Sequence, residues 1–342
     1  MPSPPTIYDL LAIGAGPTGL ACAIEAKRAG LRPLVIDKGC LCNSIYHFPT
    51  NMIFFTTAER LEIGDLPLTS AETKPTRAEA LKYYRRTADH YGLELRLYET
   101  VERLTGHDGA FEVHTRDANG HAHAYHARKI VIATGYYDRV NLMSVPGEDL
   151  PHVSHYFTDP HPYWKQDVVV IGAKNSAAEA ALELYRAGAR VTMVHRGAAL
   201  GTTLKYWVKP DIENRIHAGE IRALFNATVE RIEPEHVLVR DGAGQQSIAA
   251  TQVFALTGYH PDFEFLEKMG VALDPDTRKP ICDPVTLESN VPGIYVAGVI
   301  LGGKYTGQIF IENGRFHGKQ IIAALTGKPG NLGPPPVSPP GE

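Results

Sequence analysis

A chain of 342 residues with 44% hydrophobic and 21% charged residues has ample apolar surface to bury, and its length predicts two compact units; global disorder is excluded. A net charge of −4 supplies no broad positive field for a polyanion, which argues against nucleic acid as a partner. Four cysteines are too few for a disulfide scaffold and fit a reducing cytoplasm.

The first apolar run, Ile7 to Ile13, is too short for a membrane span and lacks the flanks of a targeting segment, so it reads as a buried strand. Gly14-Ala-Gly16-Pro17-Thr18-Gly19 follows, and then Leu20 to Ala29, which has helical composition and stops before Gly30. Leu34-Val35-Ile36 closes a second strand at Asp37, as a dinucleotide-binding βαβ unit requires. Gly14 permits the tight turn, Gly16 lets backbone approach a pyrophosphate, and Gly19 lets helix pack on strand, while Asp37 accepts a ribose hydroxyl.

A second unit of the same kind begins at Asp167 to Ile171 and continues through Gly172-Ala-Lys174-Asn175-Ser176-Ala177, a helical stretch from Ala178 to Arg186, and a strand from Arg190 to Val194. Its fingerprint is degraded, with Lys174 and Ala177 at the second and third glycine positions. Where an NAD site places an acid, this chain has His195 and Arg196, a pair suited to a 2′-phosphate, so NADPH is expected over NADH.

Two short apolar strands end in Thr-Gly, at Thr134-Gly135 and at Thr257-Gly258, and each closes one nucleotide unit. The expected organisation is an FAD domain over 6–151 and 260–328, interrupted by an NADPH domain over 152–259, with a disordered proline-rich tail at 329–342. The histidines His121, His123 and His126 read as the solvated flanks of a hairpin, with no metal site expected. Gly293 to Gly298 reads as a last buried strand and its exit, and Ile309 to Leu325 as a closing helix.

From about Tyr8 to Thr326 the chain resembles the thioredoxin-reductase-like pyridine nucleotide-disulfide oxidoreductases. Within them it is most similar to the bacillithiol disulfide reductase family, through Asn43-Ser-Ile-Tyr46, Phe54-Phe55, Lys205-Tyr-Trp-Val-Lys-Pro-Asp211, Glu213-Asn-Arg215 and Ile309-Phe-Ile-Glu-Asn-Gly-Arg315. The resemblance implies an α/β protein of two Rossmann-like dinucleotide-binding domains, one for FAD and one for NADPH, the second inserted into the first. It also implies reduction of a low-molecular-weight disulfide by a cytoplasmic homo-oligomer, with neither membrane nor nucleic acid as partner. Around the first turn it places Gly14, Gly16, Pro17, Thr18 and Gly19 on FAD, with Asp37, Lys38 and Asn43 on the neighbouring loop and Thr134, Gly135, Gly298 and Ile309 completing the set. Around the second it places Gly172, Lys174, Asn175, Ser176 and Ala177 on NADPH, with His195, Arg196, Lys205 and Gly258.

This sequence departs from the pattern in three places. No Cys-x-x-Cys precedes the second unit, where Val153 to His161 stands instead, so a thioredoxin-type relay is excluded. Thr18 stands where bacillithiol-type members often carry cysteine, and Val299 stands where the superfamily has an acid. Cys40 and Cys42, just after Asp37, are the available relay thiols; Cys22 and Cys282 read as structural. Without a thiol relay, electrons pass directly to the bound disulfide, and Tyr46, His47, Tyr136 and Tyr137 are proton donors by type. A ferredoxin or flavodoxin reductase, or a flavin-bearing redox sensor, are the alternative readings.

Overall fold

The computed structural model describes residues 6–327, so the expected tail at 329–342 lies outside the described residues. The chain divides into two compact units: the first runs to His47, resumes over Asn51–Arg139 and returns from Tyr259, and the second is Val140–Gly258 with Phe48–Thr50.

The first unit opens with β1 (Ile7–Ile13), α1 (Pro17–Arg28) and β2 (Pro33–Asp37), followed by the single turn α2 (Asn43–Tyr46) and α3 (Arg77–His90). It continues with β3 (Glu94–Leu97), β4 (Glu99–His107), β5 (Ala110–Asp117) and β6 (Ala122–Ile132). β1 is apolar on both sides because both of its faces are covered: Leu11 and Ile13 enter one core with Ile36 and Ile132, while Leu10 and Ala12 enter another with Cys22 and Ala26. The strands run in the order β3-β2-β1-β6-β5-β4, parallel from β3 to β6 and antiparallel beyond. α1 starts at Pro17, three residues before the predicted helix, since proline's fixed φ suits a first helical turn. On α3 the cations Arg85 and Arg86 face solvent, while Tyr83 and Tyr84 between them and Lys82 are buried, the Tyr84 hydroxyl donating to the Leu61 carbonyl at 2.9 Å.

After the two-residue β7 (Arg139–Val140) come β8 (Val153–Ser154), β9 (Asp167–Ile171), α4 (Asn175–Arg186), β10 (Arg190–Val194), α5 (Lys209–His217) and β11 (Arg222–Leu224). The antiparallel β12 (Thr228–Ile232), β13 (His236–Asp241) and β14 (Gly244–Ala249) follow, and β15 (Gln252–Ala255) completes a parallel sheet of order β11-β10-β9-β15-β8. β9 again alternates between two cores, Val168 and Val170 in one, Val169 and Ile171 in the other. The second unit starts at Val140, not at the expected 152. The reason is packing: Met143, Val145 and Leu150 lie on the core of Val169, Ile171 and Val253, and the Ile232 N–H donates to the Pro146 carbonyl at 2.9 Å.

The chain returns through β16 (Tyr259–His260), α6 (Phe263–Lys268) and β17 (Ile294–Val296), which pairs in parallel with Ile130–Ile132 of β6. β6 thus carries β5 on its first half and β17 on its second. A 3-10 turn over Gly298–Gly302 precedes α7 (Ile311–Gly314) and α8 (His317–Thr326). The single closing helix expected over 309–325 is two helices, broken where the Phe316 N–H turns back to the Asn313 carbonyl at 3.2 Å and Arg315 reaches out to the carbonyls of Glu59 and Glu62. Both parallel sheets share the order third-second-first-fourth around a central strand, a doubly wound, Rossmann-like arrangement, and the second unit interrupts the first in sequence.

Candidate functional site

In both units the glycine turn leaves the central strand where the strand order reverses, the crevice at which open α/β sheets bind ligands. The surrounding hydrogen bonds match pairwise. Gly14 N–H donates to the Ile36 carbonyl at 2.7 Å, and Gly172 N–H to the Val194 carbonyl at 3.0 Å. Ala133 N–H donates to Ile13 at 2.8 Å, and Leu256 N–H to Ile171 at 2.9 Å. Gly14 and Gly172 have φ of +114° and +136°, and a Cβ on either would strike a carbonyl oxygen, that of Ala133 or of Leu256. The sequence similarity of the two Thr-Gly strands therefore has a structural meaning: each walls the first glycine of its own unit.

α1 and α4 have no side-chain cap and no acid in their first turns, whereas α3 carries a Thr76–Glu79 capping box and α6 is capped by Asp262. Uncapped first-turn N–H groups with the positive end of the helix dipole suit a phosphate. A Cβ on Gly16 would meet nothing within 4 Å, so open space lies in front of the α1 turn, whereas one on Gly19 would strike the Gly14 carbonyl. This turn fits a dinucleotide pyrophosphate.

Asp37 accepts the Ala15 N–H at 2.7 Å and the Gly39 N–H at 2.8 Å, so its carboxylate is fastened to the turn and keeps lone pairs for a ribose. Burial raises its pKa and these two donors oppose the rise. Lys38 pairs with Asp138 at 2.9 Å, tying the exit of β2 to the loop after Thr134 and Gly135. Asn43 turns inward, its Oδ1 accepting the Cys40 N–H at 3.3 Å under Gly39. At the other side of the turn Thr18 joins the remaining elements: a Cβ on Gly298 would lie 3.2 Å, and one on Gly314 2.9 Å, from its hydroxyl oxygen, with Ile309 3.9 Å from the latter. The FAD set expected from sequence is thereby gathered at the carboxyl ends of β1, β2, β6 and β17.

In the second unit Lys174 and Ser176 are exposed at the start of α4 and Ala177 is buried. The Asn175 amide holds a neighbouring loop, accepting the Lys205 N–H at 2.9 Å and donating to the Thr203 carbonyl at 3.2 Å, which brings Lys205 to the helix start. His195 and Arg196 leave β10; the imidazole is half-buried against Gly197, and Arg196 is exposed. Burial, then the Arg196 charge, lowers the His195 pKa, leaving Arg196 the fixed cation of the pair. Gly258, with φ +97°, accepts the Asn141 N–H at 2.9 Å.

The thiols of all four cysteines are free. Cys42 is 1% exposed in the left-handed region at φ 53°, donating its N–H to the Ala15 carbonyl at 3.0 Å, and burial holds its thiol well above its ordinary pKa. Cys40 is half-buried and its thiol is pushed up by burial and by Asp37. Both environments oppose a thiolate. Of the proton donors named by type, Tyr46 is 53% exposed beneath the Arg77 guanidinium, and Tyr136 has its pKa raised by burial. His121 and His123 flank Asp117 at 3.1 and 3.3 Å across the β5–β6 hairpin.

One residue was not visible to sequence reasoning. The Gly298 N–H donates to Nδ1 of His317 at 2.9 Å, and burial depresses the imidazole pKa to about 4, so the ring is neutral and its Nδ1 a standing acceptor. Gly318 beside it meets the backbone of α1: a Cβ there would lie 2.8 Å from the Ala21 oxygen.

Among the described residues no helix is long and apolar enough to cross a membrane. The sequence pattern of the pyridine nucleotide-disulphide oxidoreductases matches residues 11–298. The chain is 45% identical over 315 residues, covering 92% of its own length and 96% of the relative, to the bacilliredoxin reductase Bdr of Bacillus subtilis (strain 168). It superposes on the bacillithiol disulfide reductase Bdr (YpdA) from Bacillus cereus with a TM-score of 0.92 at 43% identity, covering 94% of this chain and 100% of the other. The corresponding protein from Staphylococcus aureus gives 0.89 at 40% identity, with 95% and 99% covered. A ferredoxin–NADP reductase from Ignicoccus hospitalis is similar at only 24% identity, over 85% of this chain and 90% of that one. Taken with the paired glycine turns, these likenesses show that the chain belongs to the pyridine nucleotide-disulphide oxidoreductase family and is an oxidoreductase that works with FAD and NADPH.

Proposed function

We propose that the protein reduces bacillithiol disulfide or a closely related low-molecular-weight disulfide with NADPH, in a bacterial cytoplasm and as a homo-oligomer. The overall reaction is RSSR + NADPH + H⁺ giving two RSH and NADP⁺. The observation that carries this reading is the likeness, over nearly the whole of each chain, to two bacillithiol disulfide reductases at 43% and 40% identity and to a bacilliredoxin reductase at 45%.

FAD, when bound, supplies the two-electron carrier between nicotinamide and disulfide. In the first unit Gly14, Gly16, Pro17, Thr18 and Gly19 cradle its pyrophosphate on the α1 amides, and Asp37 accepts its ribose hydroxyls. Lys38 and Asn43 order the loop beside that ribose, while Thr134, Gly135, Gly298 and Ile309 border the rest of the molecule. In the second unit Gly172, Asn175, Ser176 and Ala177 form the corresponding cradle, Lys174 adding charge in place of a glycine, and Gly258 closes the crevice. His195, Arg196 and Lys205 take the 2′-phosphate, the guanidinium by paired hydrogen bonds.

Cys40 and Cys42 do not relay electrons in this reading, since burial suppresses both thiolates and Thr18 offers none. The disulfide is reduced directly, and a residue of the site protonates the departing thiolate. The test is NADPH consumption by the purified holoenzyme offered bacillithiol disulfide, cystine or ferredoxin. Release of two thiols per NADPH from bacillithiol disulfide supports the proposal; reduction of ferredoxin with every disulfide left intact contradicts it.

A further inference from the structure

Beside the FAD half-site, the loop from Gly303 to Gln308 folds onto the turn at Asp274–Lys279 in the same unit. The join is tight. A Cβ on Gly303 would lie 2.6 Å from the Lys279 nitrogen, and the Lys304 N–H donates to the Thr277 carbonyl at 3.0 Å. Lys304 Nζ donates to the Asp276 carbonyl at 2.6 Å, and Lys279 Nζ to Oε1 of Gln308 at 3.0 Å. Gln308 is itself held, its carbonyl accepting Nδ2 of Asn313 at 3.2 Å.

Between the two lysines stands Tyr305, 45% exposed, with the Lys279 ammonium 5.6 Å and the Lys304 ammonium 5.4 Å from its ring centre. Two like charges on one ring leave room for a further counter-charge. Neither ammonium is paired with a carboxylate among the described residues; both are steadied by neutral oxygens. The acid that heads the turn, Asp274, feels the Lys304 charge without contacting it, and one of its oxygens accepts the Thr277 N–H and hydroxyl, both at 2.7 Å, and the Asp276 N–H at 3.1 Å. The third cation, Arg278, is neutralised by Glu267 at 3.0 Å and stacks on Phe263.

Lys279 and Lys304 are therefore ordered cations with no carboxylate in contact among the described residues, each with further N–H donors, on either side of a phenol whose hydroxyl can donate. Their loop runs into Ile309, which lies against Gly314 beside Thr18. We propose that Lys279, Tyr305 and Lys304 form the subsite that receives a carboxylate of an anionic low-molecular-weight disulfide. This rests on the disulfide-reductase reading above and deepens it: the preferred substrates are disulfides that carry carboxylates, and a neutral disulfide of similar size gains nothing from the subsite.

The experiment uses holoenzyme with Lys279→Gln, Lys304→Gln and the double substitution. Bacillithiol disulfide and the uncharged 2-hydroxyethyl disulfide serve as probes, each measured by turnover with NADPH and by calorimetric titration of the oxidised enzyme. FAD content reports whether the fold survives. Losing two charge-assisted hydrogen bonds is expected to weaken binding of bacillithiol disulfide and raise its KM at least about tenfold in the double variant. The 2-hydroxyethyl disulfide should stay within about twofold, and added salt should weaken bacillithiol disulfide in the unaltered enzyme more than in the double variant. Equal changes for both disulfides, no change for either, or no binding by the unaltered enzyme would overturn the subsite. An unaltered enzyme that binds bacillithiol disulfide through these lysines yet never reduces it would overturn the reductase reading alone.

Discussion

The amide of Gly298 and the imidazole of His317 are joined by a 2.9 Å hydrogen bond that connects the exit of β17 to the first turn of α8. Through it the helix fixes the turn in which Val299 stands where the superfamily has an acid. Replacing His317 by alanine leaves the Gly298 N–H without its acceptor, and FAD is expected to bind about tenfold more weakly. Asparagine, whose Oδ1 can take the place of Nδ1, should restore most of that loss. The check is fluorescence titration of the apoprotein with FAD, alongside its melting temperature.

The same imidazole gives stability an acid limb. Its folded pKa is depressed to about 4 from an ordinary 6.5. In between, the unfolded chain holds a proton that the folded chain does not, so stability is full above 6.5 and falls as the pH drops toward 4. Glu179 on α4 has the opposite sign. Burial, with the Glu183 charge added and Lys205 opposing, raises its pKa to about 7 from 4.5, so its contribution is present below 4.5 and is lost as the pH rises through 7. Urea titrations from pH 4.5 to 8 should show His317→Asn flattening the acid side and Glu179→Gln the neutral side.

Two glycines of the first turn should fail differently. At Gly14 a side chain meets the Ala133 carbonyl in a left-handed backbone, so Gly14→Ala is expected to destabilise the apoprotein by more than about 3 kcal/mol. At Gly16 nothing of the protein is near. Gly16→Ala should leave apoprotein stability within about 0.5 kcal/mol and yet weaken FAD at least about tenfold, because its methyl group enters the cofactor's space. Chemical denaturation and FAD titration separate the two.

Arg196→Gln is expected to raise the KM for NADPH about 10- to 100-fold and leave that for NADH nearly unchanged, since only the former carries the 2′-phosphate. Steady-state assays with both nucleotides check it.

Cys40→Ser and Cys42→Ser should leave disulfide turnover intact. Cys42→Ser is expected to lower stability by about 1–3 kcal/mol, because a hydroxyl replaces a thiol that is 1% exposed. A fall in turnover without a matching loss of fold would restore the relay.

Much of the fold was legible because it is written locally. β1 and β9 are apolar runs bounded by glycine turns, and the paired Thr-Gly strands occupy equivalent places in the two sheets. Local pattern missed what depends on distant partners. His317 lies 19 residues from Gly298, and nothing in its neighbours announces that it is buried. The segment over 140–151 reads from sequence as part of the first unit, yet Met143, Val145 and Leu150 bind it to the second core. Likewise Cys40 and Cys42 look reactive beside Asp37 until Cys42 is seen folded beneath the Ala15 peptide.

The central claim, that the paired turns hold FAD and NADPH so that electrons reach a small disulfide, is tested most directly by an anaerobic spectral titration. The purified protein should be yellow, lose its flavin absorbance on one equivalent of NADPH, and recover it on one equivalent of bacillithiol disulfide. A protein that binds no FAD on reconstitution, or whose bleached flavin stays bleached with the disulfide, would contradict the account.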